Sequence, residues 1–214
     1  MGATDVVPFV PIRGLTMQDC AALARQLGEQ VGQELGIPVF LYEAAAARPE
    51  RRNLADVRRG EYEGLKAEIT TKPERAPDFG PAVLGTAGAT AIGARPALIA
   101  YNVYLNTDDV RPAKAIAKAI RHSSGGLRYV KAMGLIVEGQ AQISMNLTDY
   151  QLTPLHRVME LIRSEAARFG LAVTRSEAVG LLPAEALIDA ASFYLQLTDL
   201  SPSQVLENRL SDDR

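Results

Sequence analysis

Few side chains in this sequence are of a type that does chemistry. The histidines are His122 and His156. Neither has a Cys, His or carboxylate at ligand spacing, so both read as structural and no metal ligands are expected. His122 closes a helix, where an imidazolium suits the dipole, and His156 falls in the first turn of the next. The single cysteine, Cys20, reads as a small buried hydrophobe; one thiol excludes an internal disulfide framework and a multi-cysteine zinc site. Arg48, Arg51, Arg52, Arg58 and Arg59 could grip a carboxylate or phosphate, but read first as a solvated charged face. The glycine-rich stretch says more. Asp78-Phe79-Gly80-Pro81 leads into Gly85, Gly88 and Gly93. Glycines let a backbone approach a flat ligand and offer it N–H donors. The same composition makes an interdomain linker, and the two readings are compatible because ligands often sit beside such joints. Arg95 is a weaker candidate for an anionic group.

Common nucleotide and hydrolase signatures fail. The glycines at 88 and 93 have P-loop spacing, but Ala94 and Arg95 follow where Lys and Ser or Thr are required. There is no Gly-x-Gly-x-x-Gly and no Gly-x-Ser-x-Gly. The 214 residues are 47% hydrophobic and 22% charged with a net charge of −2, an ordinary globular balance without a basic nucleic-acid footprint. No apolar run reaches the roughly 18–20 residues of a membrane span, and no leader pattern precedes Pro11. A cytoplasmic protein with neither nucleic-acid nor membrane partner is the expectation.

The elements that must position these residues follow from periodicity and caps. Val6, Val7, Phe9, Val10 and Ile12 predict a strand over 5–12 despite Pro8 and Pro11. Thr16 and Asp19 approximate a capping box for a helix over 16–35, with Leu23, Leu27, Val31 and Leu35 as its apolar face and Gly36 ending it. A short strand follows at 39–42. Residues 43–88 are irregular, with a helical turn at 61–66 and a loop over 67–88. From residue 97 the order is strand (97–105), helix (112–122), strands (129–137 and 141–147) joined by a tight hairpin at Gly139, helix (to 169), and strand (171–179). Thr153 is expected to cap the second of these helices. Pro183 opens a further helix with Leu187, Ala190, Ala191, Tyr194 and Leu195 on one face, and the tail past Ser201 is a short amphipathic helix or frayed. This βαββαβ order is ferredoxin-like, with both helices on one sheet face and the other bare.

Six blocks together resemble the glutamate formimidoyltransferase family, whose animal members form the first part of formimidoyltransferase-cyclodeaminase. They are GATDVVPFVPI (2–12), RRGEYEGL (58–65), APDFG (76–80), GATAIGARPALIAYN (88–102), QISMNLTD (142–149) and SEAVGLLPAEAL (176–187). The resemblance spans residues 1–197. It implies an α/β (α+β) fold of two subdomains whose mixed sheets face each other across a folate cleft. It divides the chain into a remainder of the N-terminal subdomain (1–80), a glycine-rich linker (81–88) and a C-terminal subdomain (89–214). It implies transfer of a formimino group from N-formimidoylglutamate to N5 of tetrahydrofolate, in histidine catabolism, and a homodimer is the expected assembly. The family's folate-binding segment maps onto Gly80, Pro81, Ala82, Val83, Leu84, Gly85, Thr86, Ala87 and Gly88. This chain is about one residue shorter there and lacks the aromatic residue that animal enzymes place before Gly88. The family's catalytic histidine belongs to a His-Pro-Arg triplet directly upstream of the position matching Met1. No catalytic residue is therefore assigned within the chain, and a start set at an internal methionine of a longer protein is the expectation. The alternative is a catalytically dead folate-binding or interaction module.

Overall fold

The computed structural model describes residues 1–211, which divide into two units, Met1–Pro96 and the residues from Ala97 on. The first holds β1 (Val6–Phe9), α1 (Met17–Glu34), β2 (Val39–Glu43), α2 (Leu54–Val57), α3 (Glu61–Glu68) and β3 (Thr90–Ala94). Its sheet has the order β1-β3-β2, and both pairs are parallel.

The central strand β3 is the element that sequence reading missed. Residues 90–94 are buried throughout. A parallel strand covered on both faces shows no polar alternation, and this one is written in small residues, Thr-Ala-Ile-Gly-Ala. It thus passed for part of the glycine-rich stretch. The requirement for Gly93 is packing: a Cβ there would lie 2.4 Å from the Tyr42 carbonyl oxygen. The joint between units accordingly falls at Pro96–Ala97, not at 81–88.

Helix α1 begins as its sequence dictates. The Thr16 hydroxyl accepts from the Asp19 N–H, and the Asp19 carboxylate accepts from the Thr16 N–H at 2.8 Å. Its buried face is Cys20, Ala21, Ala24, Gly28 and Gly32. Of the expected face, Leu27 and Val31 flank this line and pack half-buried against the same core, whereas Leu23 and Leu35 are exposed. Small residues let the helix lie close to the sheet, against Val39, Leu41, Ile92 and Ala94. The opposite sheet face packs Phe40, Tyr42 and Ala91 on Val57, Leu65 and Ile69. Among the described residues β1 has no second strand neighbour. The Asp5 and Phe9 carbonyls accept from Ala91 and Arg95 N–H groups, so Val6 and Pro8 turn their backbone polar groups away from β3.

The second unit holds β4 (Ile99–Leu105), α4 (Val110–Ile120), β5 (Val130–Val137), β6 (Gln140–Leu147), α5 (Leu155–Ala167), β7 (Val173–Val179), α6 (Ala184–Leu195) and α7 (Leu206–Ser211). The sheet order β5-β6-β4-β7 is antiparallel at every pair, as ferredoxin-like topology requires. Neither sheet is therefore mixed: the first is parallel at both pairs and the second antiparallel at all three. Glu138 and Gly139, both at positive φ, join the paired Val137 and Gln140 in a two-residue hairpin loop. Ile99, Val103, Leu105, Ile143 and Met145 pack on Ile116 and Ile120 of α4 and on Val158 and Ile162 of α5.

Two expectations fail here. Thr153 does not cap α5; its hydroxyl donates to the Arg128 carbonyl at 2.5 Å, and Pro154 holds the cap position. Helix α6 buries Ala186 and docks on α5 through Phe193, stacked on His156, and Tyr194, whose hydroxyl donates to Glu160, whereas Leu187 and Leu195 of the expected face are exposed.

Candidate functional site

Residues 80–88 form a loop that is fixed at both ends and open in the middle. At the entrance, the strand-like segment Asp78-Phe79 closes the outer margin of β2. The Val39 N–H donates to the Phe79 carbonyl at 2.9 Å, the Asp78 N–H to the Val39 carbonyl at 2.8 Å, and the Leu41 N–H to Asp78 Oδ2 at 2.7 Å. Gly80 has φ +80°, and a Cβ on it would lie 2.5 Å from the Ile37 carbonyl oxygen. At the exit, Gly88 has φ +73° and packs on the backbone of Met1 and Gly2. The Gly88 N–H donates to Gly85, the Ala89 N–H to Met1 and the Ala3 N–H to Ala87. Between these anchors Pro81, Ala82, Val83, Gly85 and Thr86 are exposed, and open space surrounds Gly85. Leu84 and Ala87 are half-buried.

A cavity of about 140 Å³ adjoins the exit, lined by Ala3, Val7, Leu27, Val31, Ile37, Ala87 and Thr90 among others. That is room for a single ring. The buried Thr90 hydroxyl on its wall has no hydrogen-bond partner among the described residues.

The arginines of 48–59 do not converge on one anion site. Arg51 is buried and paired with Asp78 at 2.5 Å, and its other nitrogen donates to the Glu74 and Ala76 carbonyls. It thus anchors the loop entrance, which residue spacing did not reveal. Arg58 pairs with Asp5, Arg59 with Asp56, and Arg48 donates to the Pro73 carbonyl. Arg51, Arg59, Lys72 and Arg75 line a wider hollow of about 520 Å³, alternating with Glu50, Asp56, Glu68 and Glu74. Arg95 donates to the Pro96 carbonyl and lies near Tyr42, opposing the upward push that burial gives that phenol.

Both histidines lie in the second unit. His122 sits in the 3₁₀ turn His122–Ser124 after α4. His156 stacks on Phe193 with ring centroids 4.5 Å apart. Burial, with Arg157 nearby, lowers its pKa. Cys20 is buried as expected.

Sequence reading also missed a polar cluster on the antiparallel sheet. Asn102 Nδ2 and the Tyr104 hydroxyl each donate to Glu177 Oε1 at 3.0 Å. These bonds, Asn102 first, hold the Glu177 carboxyl below its usual range. The Arg175 guanidinium lies over the Tyr104 ring, 3.5 Å from its centroid. Asn102 and Glu177 belong to separate sequence blocks; the available signal was the alternation of Asn102 and Tyr104 with apolar Val103 and Leu105.

A parallel α/β unit followed by a ferredoxin-like unit, with an anchored glycine-rich loop in the first, defines a two-unit α/β protein. Residues 1–95 match the formiminotransferase domain, N-terminal subdomain, and residues 100–209 match the formiminotransferase domain. The chain belongs to the formiminotransferase family. It is 51% identical over 213 residues to a glutamate formimidoyltransferase of Thermoplasma acidophilum, covering 98% of this chain and 70% of that protein. It is 49% identical over 214 residues to that of Streptococcus pyogenes serotype M1, covering 98% and 71%. A formimidoyltransferase-cyclodeaminase of Gallus gallus is 43% identical over 206 residues, covering 92% of this chain and 38% of that protein. No helix among the described residues is long and apolar enough to cross a membrane.

Proposed function

We propose that this chain performs folate-dependent formimino transfer, from N-formimidoylglutamate to N5 of tetrahydrofolate. The observation that carries the reading is the family match across both units, at about half identity to two glutamate formimidoyltransferases. In this reaction N5 adds to the amidine carbon and gives up its proton, a tetrahedral centre forms, and the bond to the glutamate nitrogen breaks as that nitrogen takes up a proton.

The loop from Gly80 to Gly88 is the proposed folate contact. Anchored ends and an exposed middle support this, since a pre-formed loop loses little entropy on binding. Gly88 itself is buried at positive φ, so substitution there would disturb the fold. Gly85→Trp is the cleaner probe, because its side chain enters open space. Calorimetric titration with 5-formyltetrahydrofolate is expected to show binding weakened about tenfold or more in Gly85→Trp; equal affinities would overturn the placement.

One observation favours a second reading, a folate-binding module without turnover. His156 is stacked and His122 closes a turn, so neither stands as the general base, a role worth about 10²–10⁴-fold. A steady-state assay of the 214-residue chain separates the two readings. A cytoplasmic location and a homodimer complete the proposal. The exposed Leu187, Leu195 and Leu197 support self-association, which sedimentation velocity tests.

A further inference from the structure

Helices α4 and α5 cover one face of the antiparallel sheet through Ile99, Val103 and Leu105. The alternate residues of β4 and β7 share the opposite face in register: Asn102 lies beside Glu177 and Tyr104 beside Arg175. We propose that Arg175 and Glu177 bind the amidino amino-acid donor, with its α-carboxylate on Arg175 and its planar amidinium on Glu177. This rests on the formimino-transfer reading and assigns that reaction's donor site.

Three observations carry it. The first is an oriented, ionised carboxylate. Asn102 and Tyr104 both bond Oε1, which fixes the group and leaves Oε2 facing outward from that pair of donors. The second is a cation held flat: the Arg175 guanidinium rests on the Tyr104 ring, a cation–π arrangement that fixes its plane. The third is that the two charges stand side by side without satisfying each other. Arg175 Nη1 is 3.7 Å from Glu177 Oε2, and Nη2 is 3.8 Å from Glu138 Oε2, both beyond hydrogen-bond length. The Arg175 and Glu177 side chains are 45% and 40% exposed, so a ligand can reach both.

An adjacent cation and anion with unsatisfied donors and acceptors complement a zwitterion of the reverse order. In an N-amidino amino acid, two atoms separate the amidinium carbon from the carboxyl carbon, a span of about 3–4 Å. That matches the separation of the protein's two charges. Both contacts are of the planar, charge-assisted kind that outlasts competition from water. A pterin offers paired N–H donors to Glu177 but has no carboxylate near them for Arg175. A simple dicarboxylate would engage Arg175 and be repelled by Glu177.

The test follows the side-chain N–H signals of Asn102 and Arg175 in the ¹⁵N-labelled chain. N-formimidoylglutamate, N-formylglutamate and formamidinium are titrated separately. N-formimidoylglutamate should shift both signals saturably and bind about tenfold or more tighter than either partial ligand. Glu177→Gln keeps an acceptor for Asn102 and Tyr104, and should erase the preference for the formimidoyl over the formyl compound. Arg175→Gln should weaken both amino acids by a similar factor. Equal binding of the two compounds by the wild-type chain would overturn the proposal. So would a preference that survives Glu177→Gln, or shifts that bypass Asn102. Titration of the same variants with 5-formyltetrahydrofolate separates this proposal from the wider reading. Intact folate binding with no donor response at this cluster overturns the donor site alone. Loss of folate binding in Glu177→Gln reassigns the carboxylate to the pterin and overturns it as well.

Discussion

Arg51 shows why a list of charged residues is a poor guide to what each one does. It and Asp78 are 4% and 7% exposed in their side chains, and 27 residues separate them. Burying two ions is tolerated here because every strong donor has an acceptor: Asp78, the Glu74 and Ala76 carbonyls, and the Phe40 ring face at 5.0 Å. Asp78→Ala would strand the guanidinium without its partner. Urea unfolding should show a loss of about 3–5 kcal/mol, with a smaller loss in Arg51→Met/Asp78→Ala, where no charge is left unpaired. A surface-like loss below about 1 kcal/mol would show that the pair is solvated. No sequence pattern announces this contact, since it joins two irregular segments and has no period.

At the same scale, His156 gives the molecule a dependence on pH. Burial favours the neutral imidazole, with Arg157 acting the same way and Asp189 against it. The folded-state pKa is thus below that of the unfolded chain, and the unfolded state takes up the proton first as pH falls. The stability this contributes is complete above an unfolded pKa of about 6.5 and is lost as pH drops below it. His156→Phe should keep the ring stack on Phe193 and flatten this part of the profile. Melting temperatures between pH 7.5 and 5.5 check it; parallel slopes for the two proteins would refute the assignment.

Elements were legible where a local rule fixes them. The capping box of α1, the positive-φ hairpin pair Glu138-Gly139 and the alternating strands β5 and β6 all follow from neighbours within a few residues. Elements defined by distant packing were not. β3 is a strand because β1 and β2 flank it, and the inner face of α6 is set by α5. In the candidate site, the loop 80–88 could be mapped through resemblance, whereas its Arg51 anchor and the Glu177 cluster depend on tertiary contacts. Close approach between elements is likewise invisible until they are assembled. Gly134 of β5 lies under α4, and a Cβ there would sit 2.3 Å from the Lys114 nitrogen. Gly134→Ala must push the helix off the strand, at a cost of about 1–3 kcal/mol or more. Denaturant titration of this variant measures it, and a neutral result would mean that α4 yields freely.

On the scale of the molecule, each unit is closed by its own hydrophobic core. The cluster from Ile99 to Ala186 lies wholly within the second unit, and those built on Phe40 and on Val39 lie wholly within the first. The second unit has four paired strands and two helices packed on one face, enough buried apolar surface for a domain of its size. Expressed alone, residues 97–214 should fold and melt in one cooperative transition, with a near-ultraviolet circular dichroism spectrum of fixed aromatic packing. A broad transition with dye-binding apolar surface would show that the fragment needs the rest of the chain.

The parallel sheet of the first unit has a direction in which it can propagate. Along β2 the Val39 N–H and carbonyl and the Leu41 N–H, which face away from β3, are taken by Asp78 and Phe79, which blocks strand addition there. Along β1 no described residue takes them, and an open row of this kind is a template for intermolecular strand addition and fibrous aggregation. Pro8 falls on that row. Its missing N–H removes no bond to β3, because the residues that bond β3 are Asp5, Val7 and Phe9, and it leaves an incoming strand with one acceptor it cannot satisfy. A proline that counted against a strand in the sequence is thus what a strand in this position needs: it permits pairing on one side and discourages it on the other.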